Sequence, residues 1–114
     1  MGYHHSTYFA YGIHIPVEAP AWKETDRIDK ELAKLKELCP DVGHLAAGDY
    51  DRDMVFLVTD CQEIDLGKYG RANLATADQC GEWDTQLAFA VHALGYSNLP
   101  DLQAPGWLCI PDLS

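Results

Sequence analysis

Three features place the chain in the α+β class, in the order β-α-β-β-α-(β) of a ferredoxin-like or split βαβ sandwich: two helices on one face of a mostly antiparallel sheet. Residues 3–15 alternate between two faces, residues 28–39 repeat apolar side chains at helical spacing, and Met54-Val-Phe-Leu-Val-Thr59 is an unbroken apolar run. With 114 residues, 47% of them hydrophobic and 23% charged, the chain reads as a single globular domain over 1–114 rather than a disordered segment.

The first strand, 3–15, is rich in Tyr, Phe, Thr and Ile, which suit a pleated surface. Tyr3, His5, Thr7, Phe9, Tyr11, Ile13 and Ile15 share its more apolar face; His4, Ser6, Tyr8, Ala10, Gly12 and His14 share the other. Pro16 and Pro20 close it. Thr25 or Asp26 is expected to cap the first helix, whose stripe of Ile28, Leu32, Leu35 and Leu38–Cys39 ends before Pro40. A second strand is expected over 42–47 and a third over 54–59, joined by a polar turn over 48–53. The third strand's continuous apolar run predicts a central strand covered on both faces. Residues 60–79 show no clear period. Trp83, Leu87, Ala90, Val91 and Leu94 stripe a second helix over 82–94, with Gly95 as its stop. Residues 97–106 read as irregular, and 107–110 as a short closing edge strand before Pro111.

Charge narrows the function. The formal net charge is −10, from 18 Asp and Glu against 8 Lys and Arg. No Lys or Arg follows Arg71, while Asp78, Glu82, Asp84, Asp101 and Asp112 do. Direct nucleic-acid binding needs cations that displace counterions from phosphate, and anionic membrane surfaces need the same, so both are disfavoured. A negative surface instead attracts basic proteins, or simply confers solubility. The uncharged stretch 1–15 is too short to span a bilayer and lacks the basic and apolar regions of a signal peptide, so the expected location is cytoplasmic.

Cys39, Cys61, Cys80 and Cys109 are separated by 22, 19 and 29 residues, with no C-x-x-C pair. Two disulfides are arithmetically open, but without a secretory signal these read as small core residues.

Several constellations fall short of a catalytic or metal motif. His5-Ser6-Thr7 matches the H-x-[ST] element that two-histidine phosphoesterases use twice; no second copy exists, because His44 is followed by Leu45-Ala46 and His92 by Ala93-Leu94. His4 and His14 share a face but lie about 33 Å apart along an extended strand, too far to share a metal. Asp49-x-Asp51-x-Asp53, with Asp60 twelfth, resembles a calcium loop only in part: Met54 stands where the sharp turn needs Gly, and Asp60 where a bidentate Glu belongs. Cys80 at the start of the second helix would feel the positive end of the dipole but has no base nearby in sequence. No zinc-type close pair exists, so no metal or cofactor is expected. Gly67-Lys68-Tyr69-Gly70-Arg71 lacks phosphate-loop spacing and reads as a turn.

The opening Tyr3-His-His-Ser-Thr-Tyr-Phe-Ala-Tyr-Gly12 and the short acidic chain resemble small proteins of tailed bacteriophages that infect actinobacteria. The resemblance covers about the first dozen residues and implies an accessory role in the host cytoplasm: binding and inhibiting a host protein, or serving the virion. No functional residue is carried over from it.

The leading expectation is a small acidic, non-enzymatic protein that binds a basic surface of a host protein, including as a nucleic-acid mimic that inhibits a nuclease or defence complex. Its contact residues are expected among Asp49, Asp51, Asp53, Asp78, Glu82 and Asp84. The alternative is a metal-binding protein or hydrolase built on the first strand, with His4, His5, Ser6, Thr7, His14 and Cys80. A third reading, compatible with both, is a homodimer paired through the first strand as an edge.

Overall fold

The structure is a computed structural model that describes residues 5–18, 20–49, 52–72 and 74–113; for His5, Asp49, Arg52 and Leu113 the backbone alone is described. Its elements are β1 (His5–Ile15), α1 (Ala21–Lys34), β2 (Gly43–Asp49), β3 (Arg52–Asp65), α2 (Ala77–Ala93) and β4 (Gly106–Leu113). The expected α+β order is therefore the observed one. The strands run β2-β3-β1-β4, each neighbouring pair antiparallel. The sheet curls until its two edge strands meet at one position, Asp49 opposite Leu113. Beside that meeting point the buried Asp112 carboxylate accepts the Gly48 N–H at 3.0 Å.

Both helices cover one face. Ile28 of α1 and Trp83, Leu87, Ala90 and Val91 of α2 pack with Tyr11, Ile13 and Ile15 of β1 and Val55 and Leu57 of β3. The other face is apolar too: Ala10, Ala47, Phe56, Val58 and Ile110 form a second cluster inside the curl, with Tyr8, Leu45 and Leu108 against it. Residues 55–58 thus bury side chains on both faces, as their unbroken apolar run predicts.

Over most of its length β1 is an inner strand and not the edge strand that the homodimer expectation assumes. Its backbone pairs with β3 on one side and β4 on the other from Ser6 to Gly12, so that stretch has no free edge for a second copy, while residues 13–15 pair with β3. At Tyr11/Gly12 the register with β3 shifts by one residue. Thr59 is the extra residue, and its hydroxyl donates to the Tyr11 carbonyl at 3.2 Å. Gly12 permits the close approach: a Cβ there would overlap the Leu57 carbonyl oxygen and stand 2.9 Å from Val58 Cα.

Several boundaries differ from expectation. α1 begins at Ala21, with Pro20 as N-cap and no side-chain cap, so neither Thr25 nor Asp26 starts it. The Pro20 carbonyl receives Lys23 N–H at 3.0 Å, and the fixed proline φ sets up the first turn. The regular helix ends at Lys34, and Leu38 and Cys39 N–H both return to the Leu35 carbonyl in a tighter turn. α2 begins five residues before expectation; Thr76 caps it by accepting Gln79 N–H at 3.2 Å. It stops as expected at Gly95, whose φ of 83° is easy only for glycine. β3 continues to Asp65, into the segment that showed no period. β4 runs through Pro111, which stands opposite Thr7 of β1, and so extends past the expected stop.

All four cysteines are free. Cys39 is a core residue as expected and Cys80 is half-buried, but Cys61 and Cys109 are exposed, which corrects the core reading for that pair. Among the described residues no helix is long and apolar enough to cross a membrane.

Candidate functional site

α2 presents two faces. Trp83, Leu87, Ala90 and Val91 are buried, while Asp78, Glu82, Thr85 and Phe89, at helical spacing on the opposite side, are exposed. Asp78 lies in the first turn, where the helix dipole favours a carboxylate. Asp78 and Glu82 stand one turn apart and repel each other mildly. Among the described residues no ion pair relieves either. The face is therefore an uncompensated negative stripe ending on an exposed phenylalanine.

In the segment feeding α2, residues 66–72 and 74–76 have no regular structure up to the Thr76 cap. It exposes large apolar side chains: Leu66 is 76% accessible, Tyr69 94% and Leu74 64%. Apolar groups this exposed on a short loop, next to an acidic helix end, have the composition of a protein-contact surface with hydrophobic anchors and a charged rim.

Asp84 differs from its neighbours. It accepts the Tyr11 hydroxyl at 2.6 Å, from β1 across to α2. That bond, together with burial, holds the Tyr11 phenol well above its ordinary pKa. Tyr11 belongs to an aromatic group with Trp83 (ring centroids 5.4 Å apart) and Trp107 (5.1 Å, edge-on), and Trp107 stacks in parallel on Phe9 at 5.2 Å. Phe9 and Trp107, with Asp60, Gln62 and Arg71, line an open-mouthed cavity of about 290 Å³.

The hairpin acids stand elsewhere. Asp51 lies outside the described residues, and the Asp49 backbone marks the contact between β2 and β4. Asp53 is exposed on β3. The described acids expected to form the binding surface are thus divided, Asp49 and Asp53 on β2 and β3 and Asp78, Glu82 and Asp84 on α2.

The histidine-strand constellation is dispersed. His4 lies outside the described residues, as does the His5 side chain. Ser6 is buried, its hydroxyl donating to Glu63 Oε2 at 3.2 Å, and Tyr8 donates to the same oxygen at 2.9 Å. Burial and the Glu63 hydrogen bond push the Tyr8 phenol up to about 12. Thr7 is opposite Ile64 and Pro111, with no polar partner in register. His14 is eight residues beyond Ser6, about 26 Å along a strand. Its ring packs on Phe56 at 5.2 Å, and desolvation lowers its pKa. Cys80 sits in the first turn of α2, on the opposite face of the sheet from His14, so the sheet itself separates that thiol from that imidazole. Among the described residues no three His, Cys, Asp or Glu side chains converge as a metal site would need.

The anchors Leu66, Tyr69 and Leu74 and the cavity formed by Phe9, Trp107 and Arg71 were not anticipated from sequence. The signal for the first set was a tyrosine between Gly67 and Gly70 with a leucine on either side of the pair, in a segment without a period. The second set is assembled from four separate parts of the chain. In comparisons with protein-family models, curated proteins and solved structures, nothing matches this chain.

Proposed function

We propose that this is a non-enzymatic binding protein that holds a basic surface of another protein, with α2 and the 66–76 loop as its contact face. The observation that carries the reading is the Asp78–Glu82 stripe, exposed and, among the described residues, without an ion pair, in a chain with no Lys or Arg after Arg71. Electrostatic attraction of this kind steers association and fixes orientation, while Leu66, Tyr69 and Leu74 supply apolar contact area. Proteins that handle nucleic acid carry the basic surfaces such a face fits, so a nuclease or defence complex is the partner class, and mimicry of nucleic acid the means of inhibition. The resemblance of the first dozen residues to small phage proteins would put that partner in the host cytoplasm.

The test is an affinity pull-down from host lysate at low and high salt, with mass spectrometry of what is retained. A basic protein or nuclease complex held at low salt, released at high salt and lost with Asp78→Asn/Glu82→Gln is the expected result. Retention indifferent to salt, or no basic protein retained, would overturn the reading. The histidine-strand alternative is not advanced, because Ser6 and His14 lie far apart on β1 and the sheet separates His14 from Cys80.

A further inference from the structure

The cavity beside α2 combines features that the acidic-surface reading does not use. The parallel Phe9–Trp107 pair lines part of it, and Trp107 is held in turn by edge-on contacts with Tyr11 at 5.1 Å and Trp83 at 6.4 Å. A ring braced on two sides is set before any ligand arrives, so little of its side-chain entropy remains to be lost on binding. Its walls carry both signs of charge, with Asp60 of β3 and Arg71 of the following loop lining the same space of about 290 Å³. The neutral amide of Gln62 lies with them.

Just before Arg71, Gly70 packs against side chains of β3. A Cβ on Gly70 would collide with the Gln62 side-chain amide and stand 3.2 Å from Ile64 Cγ1. In a chain with 18 acids, an arginine ordinarily finds one. Among the described residues no carboxylate lies within ion-pair distance of Arg71, and Asp60, on the wall of the same cavity, is not paired either. Two opposite charges therefore share a cavity without closing on each other, beside an aromatic pair.

We propose that this cavity binds a free α-amino acid with an apolar or aromatic side chain. Its ammonium goes to Asp60, its carboxylate to Arg71 with the Gln62 amide donating beside it, and its side chain lies on the Phe9–Trp107 stack. A zwitterion bridges separated charges without adding net charge to an already acidic protein. A plain anion would meet the field of the acids around it, and a plain cation would meet Arg71. The volume lies at the small end of ligand cavities, which suits a single amino acid rather than a nucleotide.

The full-length protein is titrated by calorimetry, and by NMR of the Phe9, Gln62 and Trp107 amides, with L-phenylalanine, phenethylamine, 3-phenylpropionate and glycine. Phenylalanine is expected to bind at least about tenfold more tightly than each of the other three, which lack in turn the carboxylate, the ammonium and the ring. Arg71→Gln is expected to abolish the preference over phenethylamine, and Asp60→Asn the preference over 3-phenylpropionate; both positions are exposed, so the fold is expected to tolerate either change. Equal response to all four compounds, no movement of these amides at about 10 mM ligand, or unchanged phenylalanine affinity in Arg71→Gln would overturn the proposal. These results are independent of the lysate pull-down, so the cavity and the acidic face stand or fall separately.

Discussion

The Tyr11 hydroxyl and Asp84 Oδ1 are 2.6 Å apart, a charge-assisted bond that ties the central strand to the second helix. Asp84 therefore differs in kind from Asp78 and Glu82, although all three were grouped as contact acids. Asp84→Asn or Tyr11→Phe is expected to cost about 1–2 kcal/mol in urea unfolding. Asp78→Asn and Glu82→Gln are expected to stay within about 0.5 kcal/mol of the unaltered protein. Equal destabilisation by all four would show that the stripe serves folding rather than contact.

Gly12 is the position least able to change. Gly12→Ala puts a methyl into the Leu57 carbonyl and near Val58 Cα, both backbone and unable to swing aside. A loss of more than about 3 kcal/mol is expected, at the upper end for overpacking. Gly106→Ala, where a Cβ meets nothing, is the control. Chemical denaturation of the pair measures the difference.

At high pH the fold is expected to weaken through its tyrosines. Tyr96 is buried, and its hydroxyl donates to Glu24 of α1 while the Arg27 guanidinium lies 5.0 Å from the ring centre. Burial and the Glu24 bond push this phenol from its ordinary 10.0 up to about 12. A raised phenol favours the protonated native state, so its contribution is complete below pH 10 and lost as pH rises through 12. Tyr96→Phe is expected to cost about 1.5 kcal/mol at neutral pH and to make the alkaline decline shallower, as read from denaturation midpoints across that range.

At the acid end His14 acts in the opposite sense. Desolvation against Phe56 keeps its pKa below the usual 6.5, so the imidazole is neutral in the fold and charges more readily in the unfolded chain. Its contribution is present above 6.5 and fades as pH falls below that value. His14→Phe is expected to match the unaltered protein within about 0.5 kcal/mol at pH 8 and to exceed it below pH 6. A parallel fall of both proteins on acidification would refute this.

The parts of the fold visible in the sequence are those whose neighbours are determined by local pattern. The run at 55–58 announces a strand buried on two faces, and Ile28, Trp83, Leu87 and Val91 announce the sides of the helices that meet it. Thr76-Ala-Asp-Gln79 was equally readable as a capping box, but the apolar period begins only at Trp83 and drew the boundary inward. The cavity was not readable, because Phe9, Asp60, Arg71 and Trp107 become neighbours only once β1, β3 and β4 are side by side. The same holds for Ser6 and Glu63, 57 residues apart in the chain and joined by a hydrogen bond. The edge role given to the first strand failed because both its edges are paired from Ser6 to Gly12, a property of the assembled sheet and not of any one segment.

The tryptophans give the molecule its own optical report. Trp83 and Trp107 are nearly perpendicular with centres 6.4 Å apart, and one belongs to α2 while the other belongs to β4. Indoles that close couple their electronic transitions, so the circular dichroism of the folded protein should contain a signed couplet that exists only while the helix rests on the sheet. Trp22, exposed on α1, stands apart and should emit as a solvated indole throughout. Loss of the couplet would therefore mark the moment α2 lifts away, before the backbone signal of either element has melted.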